Sequence, residues 1–329
     1  MPRQENQKRK LFSLLKIFIN ETDESHGLSM SEIIEKLASD GISAERKSIY
    51  DDILTLGEIG FSVVTLPERP PKYTLAERPF ELAELKMLVD SVESSRFITR
   101  ARSRELIAKL KAYAGKYHAH ELSRQVYVED RVKTENSASL DTVDLIHRAI
   151  NRGQRISFFY FDYTKRKRKI YRRDGKRYVA SPASLILSDG NYYLVGYDSE
   201  ASAYKNFRVD KMAEPKLEDE KMDARMVGER FNPAEYSRKI FGMYGGREEL
   251  VTLECREHLA GVIIDRFGSE PSFFPTDFGF RVSVRVMISP TFYAWLLGFG
   301  KDMRLLSPES AVEGLKISLK ETLDYYETK

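Results

Sequence analysis

Apolar residues recur every three or four positions through the first sixty residues, and later in alternation or short blocks. The change of period marks where helices give way to strands. Leu11, Leu14, Leu15 and Phe18 fall on one face of a helix over residues 8–20. A second helix has Ser29 or Ser31 at its start and turns Ile33, Ile34 and Leu37 inward. The turn Asp40-Gly41-Ile42-Ser43 leads to a third helix with Ile49, Ile53 and Leu56 inside. FSVVTL and KYTL flank Pro67-Glu68-Arg69-Pro70-Pro71 and read as two strands joined by a wing. Helices follow over 80–93, burying Leu82, Leu85, Leu88 and Val92, and over 99–117, with Leu106, Ile107 and Leu110. Residues 122–139 are largely polar, and 141–151 form a helix with Leu145, Ile146 and Ala149 inward.

From 156 to 212 the period is two. ISFFYF, SLIL and YYLVGYD are separated by turn formers, including Asp-Gly pairs at 174–175 and 189–190. Asp189-Gly190, between SLIL and YYLVGY, is the strongest hairpin signal in the chain. These strands predict a small barrel of about five strands, closed or nearly so. Residues 231–246 read as a linker with a short helix. Beyond it come strand REELVTLEC, helix REHLAGVIIDRF, edge PSFFPT, strand GFRVSVRVM, a helix over 291–297, strand MRLLS and a final helix over 308–326. That βαββαβ order is a ferredoxin-like arrangement. In GFRVSVRVM, Phe280, Val282, Val284 and Val286 alternate with Arg281, Ser283 and Arg285, so the arginines share a face that is either solvated or open to a partner.

The 329 residues suffice for two or three domains. A formal charge of +3 is too small to imply nucleic-acid binding by itself, so local clusters must carry that inference. Residues 163–177 hold nine Lys or Arg and one Asp beside aromatic strands, which suits an anion. The one cysteine, Cys255, lies in the apolar strand VTLEC and reads as a buried structural thiol. No apolar run reaches the roughly 18 residues of a membrane span. The charged N-terminus carries no signal-peptide core, so a cytoplasmic protein without membrane partners is expected. His118 and His120 are two residues apart and Glu121 follows, but no third ligand stands at a motif spacing, and an ordinary loop is expected. The chain contains no GxxxxGK[ST], HExxH, GxSxG or CxxC, and Glu254 and Cys255 have no evident histidine partner. His258 is near them but starts a helix. A non-enzyme is therefore expected, with no catalytic residue, cofactor or metal.

The two short helices around residues 40–43 form a helix-turn-helix candidate. Its second helix must bring its first turn to the base edges while short polar groups touch phosphate. Ser43, Arg46, Lys47 and Tyr50 lie at the start or outer side of that helix. Arg46 suits guanine or phosphate, and Lys47 and Ser48 suit phosphate. Arg69 and Lys72 in the wing are placed for the backbone or minor groove.

Two runs carry a family resemblance. Arg46-Lys47-Ser48-Ile49-Tyr50-Asp51-Asp52-Ile53 resembles the winged helix-turn-helix that commonly precedes WYL domains. Asp51 departs from it, standing where many relatives have Arg; it either pairs within the protein or accepts from a cytosine amine. The run Asn191-Tyr192-Tyr193-Leu194-Val195-Gly196-Tyr197-Asp198, followed by Phe207-Arg208-Val209-Asp210-Lys211, resembles the WYL domain of bacterial transcriptional regulators, with Tyr192 replacing the first letter. Tyr160 and Pro182 also fall at expected places. The resemblance implies recognition of a nucleotide or single-stranded nucleic acid by Lys205, Arg208 and Lys211, with Tyr160, Tyr192 or Tyr193 beside them. Lys205 and Lys211 stand where Arg is usual. Alternation puts both lysines opposite Phe207 and Val209, but Arg208 breaks that phase unless the strand bends. Tyr192 and Tyr193 must face opposite ways, and which meets a ligand stays open.

The expected architecture is multidomain α+β. A winged helix-turn-helix spans 1–76, a helical linker 77–152, a small Sm/SH3-like WYL β-barrel 153–230, and a ferredoxin-like extension 231–329. The last resembles the extension after WYL domains, which in relatives makes dimer contacts or helps cover the ligand site. The expected function is a ligand-responsive, sequence-specific transcriptional regulator that binds duplex operator DNA as a homodimer. The competing classes are a nucleic-acid-binding accessory factor that modulates a partner enzyme, and an unrecognised enzyme.

Overall fold

The computed structural model describes residues 3–119, 122, 133–223 and 231–327. His120, Glu121 and most of the polar segment over 122–139 lie outside the described residues. The chain divides into two compact units, Met1–Ser137 and Ala138–Lys329.

The first unit opens with α1 (Arg3–Glu21), β1 (Leu28–Ser29), α2 (Met30–Ser39) and α3 (Arg46–Glu58). Ser29 settles the start of α2. Its hydroxyl accepts from the Glu32 N–H while the Glu32 carboxylate accepts from the Ser29 N–H, a capping box. Leu14, Phe18, Ile33, Leu37, Ile49 and Leu56 are fully buried between the three helices. Each contributes about 1.5–3 kcal/mol relative to exposure. β2 (Val63–Leu66) and β3 (Lys72–Leu75) form an antiparallel ribbon, and β1 completes the sheet in the order β1-β3-β2.

Then come α4 (Leu82–Ser94) and α5 (Arg100–His118), which pack on each other, and α5 also packs along α1. Gly115 breaks α5 with φ 71° and ψ 173°, a conformation essentially restricted to glycine. A Cβ there would stand 3.1 Å from the Ile19 carbonyl oxygen. Arg78 donates to the carbonyl of Ile19 in the last turn of α1 and to that of Thr22 just beyond it. Beyond the break, Lys116 pairs with Glu21 at 2.6 Å and Tyr117 stacks on His26.

The second unit begins with α6 (Ser139–Arg152), read from sequence as the last linker helix; it packs on the sheet that follows. The strands are β4 (Gln154–Tyr163), β5 (Lys169–Tyr171), β6 (Tyr178–Ser188), β7 (Asn191–Asp198), β8 (Ala203–Arg208) and β9 (Met212–Lys221). Their order is β5-β4-β6-β7-β8, and β9 adds to the other side of β4. This is a curled sheet, a half-barrel, rather than a closed barrel: β8 forms one end of the order. Asp189 (φ 50°) and Gly190 (φ 74°) make the two-residue β6–β7 turn, with Ser188 opposite Asn191. Positive φ at both central positions is what a type I′ hairpin requires. The inner face is aromatic, with Phe158, Tyr160, Tyr178 and Phe207 in mutual contact.

A separate C-terminal sheet follows the short helix α7 (Pro233–Lys239). Its elements are β10 (Arg247–Cys255), α8 (Ala260–Phe267), β11 (Phe274–Pro275), β12 (Phe280–Ile288), α9 (Pro290–Leu297), β13 (Met303–Ser307) and α10 (Glu309–Glu327). The strand order β11-β12-β10-β13 is antiparallel throughout. Val251, Leu253, Cys255, Val282, Val284 and Val286 point into one core with Ile263 and Phe292.

Candidate functional site

A cavity of about 610 Å³ lies along β8, which supplies every residue from Tyr204 to Arg208 to its lining. β8 lies at the end of the sheet, and residues of both strand parities along it line that space. This answers the phase conflict of the sequence: Lys205 and Arg208 need not share a strand face to share a site. The short 3-10 turn Val209–Lys211 buries Val209 and returns Lys211 to the same cavity. Tyr160 and Tyr178 form part of the inner wall.

Each cation is held from behind by a carboxylate. Lys205 meets the buried Asp198 at 2.6 Å, and Arg173 reaches the same carboxylate at 3.3 Å. Lys211 and Arg172 share Asp162, at 2.7 and 2.5 Å. Arg208 makes a two-point contact with Asp210, at 3.0 and 2.7 Å, and donates to the Asn191 side-chain oxygen at 3.0 Å. The Arg208 N–H donates to the Tyr160 hydroxyl, 3.0 Å away. Burial pushes the Tyr160 hydroxyl up to about 12, so it stays protonated at neutral pH. At Asp162 the Lys211 hydrogen bond outweighs burial and lowers the carboxyl. At Asp198 burial pushes the carboxyl up, but Lys205 and the backbone N–H groups of Ala201 and Glu200 carry it below its ordinary value. The cations are thus oriented, with donor capacity left over for an anion.

The paired tyrosines differ in their relation to the cavity. Tyr193 lines the cavity opposite Arg208 in the β7–β8 register, and burial raises its hydroxyl. Tyr192 has the strand parity of the buried Leu194 and is not part of the cavity lining. The remaining wall is Gly242–Gly245, from the stretch read as a linker. Gly242 and Met243 both take positive φ in a tight turn, and the Asn206 side chain fastens it by donating to the Met243 carbonyl at 3.0 Å. Arg172 and Arg173 belong to the basic run expected to suit an anion but were not singled out, and Tyr178 and this turn were not among the expected site residues. The Gly-Met-Tyr-Gly-Gly run was a visible turn signal, but its docking on β8 was not.

In the first unit, Ser43, Arg46 and Lys47 are exposed at and before the start of α3. Arg46 donates to the Tyr50 hydroxyl at 3.2 Å, and Tyr50 in turn meets Tyr73 of β3 at 3.0 Å. Ser48 turns inward, where its hydroxyl accepts from the buried Lys10. Lys10 also lies 2.7 Å from Asp52, an ion pair whose geometry falls outside that of a hydrogen bond. Asp51 itself is exposed; the inward partner is its neighbour. Arg69 is exposed in the wing, and Lys72 pairs with Glu68 at 2.7 Å. On the C-terminal sheet, Arg281 and Arg285 meet Glu254 and Glu248 at 3.1 and 3.7 Å, as a solvated face of cross-strand pairs. Among the described residues no group of three His, Cys, Asp or Glu is placed to hold a metal, and no helix is long and apolar enough to cross a membrane.

A sequence profile of the WYL domain matches residues 141–217. The chain carries a region similar to the WYL domain. The WYL match starts inside α6 and ends in β9, and so takes in the inner wall and all five cavity cations. A profile of the WCX domain matches residues 247–323, the C-terminal sheet with its helices. Over 264 residues the chain is 24% identical to Protein PafC of Mycobacterium tuberculosis, covering 79% of this chain and 74% of that one. Among solved structures it is similar to proteasome accessory factor B/C (PafBC) of Arthrobacter aurescens, with 18% identity and a TM-score of 0.30. That match covers 98% of this chain and 49% of the other, so the chain spans about half the length of PafBC. A CRISPR Cas-related protein matches at 15% identity and a TM-score of 0.36, over 99% and 82% of the two chains.

Proposed function

We propose that this chain is a ligand-responsive transcriptional regulator. Residues 1–76 act as a winged helix-turn-helix that reads duplex operator DNA, with Arg46 and Lys47 on the recognition helix and Arg69 in the wing. The WYL half-barrel binds a nucleotide or short single-stranded nucleic acid, and the C-terminal extension, ferredoxin-like in its strand order, closes one side of the cavity or joins two copies. The observation that carries this reading is the cavity itself. Lys205, Arg208 and Lys211 converge there on fixed carboxylates beside Tyr160 and Tyr193. Oriented ammonium and guanidinium groups bind phosphate, and ring faces accept a base.

Calorimetric titration with nucleotides and short oligonucleotides tests it. A ligand should bind the unaltered protein and lose at least tenfold in affinity, about 1.4 kcal/mol, in Arg208→Ala or Lys205→Ala. Unchanged affinity in both variants would place the site elsewhere. The ligand should also change operator affinity, and operator DNA must then change ligand affinity by the same factor. A ligand that binds equally with and without operator would remove the switch from this reading.

A further inference from the structure

We propose that the tip of the β4–β5 hairpin is a second nucleic-acid surface, which grips the phosphate backbone of a single strand outside the cavity. It stands whatever the cavity itself holds. Lys165, Arg166, Lys167 and Arg168 are consecutive and exposed there. The tip is ordered by backbone bonds. The Thr164 N–H donates to the Arg168 carbonyl and the Lys167 N–H to the Thr164 carbonyl, each at 2.8 Å, while Tyr163 pairs with Lys169 across the strands. Lys167 takes φ 58°, a position where Gly or Asn is the ordinary choice. The turn would fold better with another residue, so its charge calls for a reason outside folding.

The contrast with the cavity is the main argument. Arg172, Arg173, Lys205, Arg208 and Lys211 all meet carboxylates. Among the described residues no carboxylate pairs with Lys165, Arg166, Lys167 or Arg168. Adjacent unneutralised charges repel one another, and an external polyanion relieves that repulsion more fully than salt screening does. The hairpin register puts Tyr163, Lys169 and Tyr171 on one face with Phe161. Tyr163 and Tyr171 are 52% and 44% exposed, and Lys169 lies 4.3 Å from the Phe161 ring centre. Four cations beside two accessible rings match the two needs of an unpaired strand, phosphate neutralisation and base stacking. A duplex or an acidic peptide would use the charge and leave the rings idle.

The test uses the full chain and a labelled oligothymidylate of about 20 nucleotides, long enough to span such a surface. The variant Lys165→Gln, Arg166→Gln, Lys167→Asn, Arg168→Gln removes the charge and gives the turn a residue suited to positive φ. Its oligothymidylate affinity should fall about tenfold or more at 0.1 M salt, and the slope of log K against log salt should flatten by roughly 2–3. Tyr163→Ala with Tyr171→Ala should lower affinity and leave the slope in place. If the fourfold variant does not fold, Lys165→Gln with Arg166→Gln keeps the turn bonds and should flatten the slope by about half as much. Unchanged affinity and slope would overturn the proposal. So would a loss confined to a duplex of the same length, or an equal loss towards polyglutamate. Mononucleotide binding in the cavity should survive the hairpin variants and fail in Arg208→Ala, which keeps the two sites separable.

Discussion

Asp198 and Asp162 each hold two cations, so protonating them should weaken the second unit in acid. Both carboxyls lie below the ordinary aspartate value of 3.8 in the folded chain. A carboxyl depressed by folding adds stability above its unfolded value and loses it as the pH falls through the folded one. The half-barrel should therefore melt at a steady temperature from neutral pH to about pH 5, then lose stability as the pH drops below 3.8. Asp198→Asn should flatten that acid limb in a series of thermal melts. Their pairing was not legible in the sequence, where Asp198 and Asp210 stood in the quoted runs without an assigned partner and Asp162 was one acid among fifty. Their pairing depends on how β4, β7 and the 3-10 turn come together, which no local pattern encodes.

At the scale of elements, the local devices were legible and the long-range ones were not. Asp189-Gly190 fixed its hairpin because a two-residue turn with two positive φ values is a local requirement. The helix spacing placed α2 and α3 within a few residues of their observed ends. The Gly242–Gly245 wall escaped, since its anchor at Asn206 lies 37 residues away. Ser48 escaped because its partner is on α1. The inward turn of Ser48 separates two outcomes. Arg46→Ala with Lys47→Ala should lower duplex affinity, lessen its salt dependence and leave the melting temperature nearly unchanged. Ser48→Ala should do the reverse, costing about 1–3 kcal/mol in denaturant titration because Lys10 loses a buried acceptor. The break in α5 gives a further expectation. Gly115→Ala should destabilise the first unit by roughly 1–3 kcal/mol, as its backbone conformation excludes a side chain and its Cβ would meet the Ile19 carbonyl. Chemical denaturation followed by circular dichroism reads this directly.

For the whole molecule, one recognition helix covers too little DNA for selective binding, and a pair on a two-fold site doubles the contact. Light scattering at micromolar concentration should therefore give about twice the 38.0 kDa of one chain. A mass of one chain, with and without DNA, would exclude the dimer. Cys255 offers a different measurement. It is the single thiol of the chain, sits fully buried at the end of β10, and burial pushes it up to about 11. A thiol reagent can reach it only when the C-terminal sheet opens. The rate at which the intact protein takes up one equivalent of a chromogenic disulfide is then a clock for that opening, running from a native residue with no engineered probe. The clock should slow when operator DNA or a cavity ligand favours the closed sheet, and its pace should rise with denaturant in step with the surface exposed.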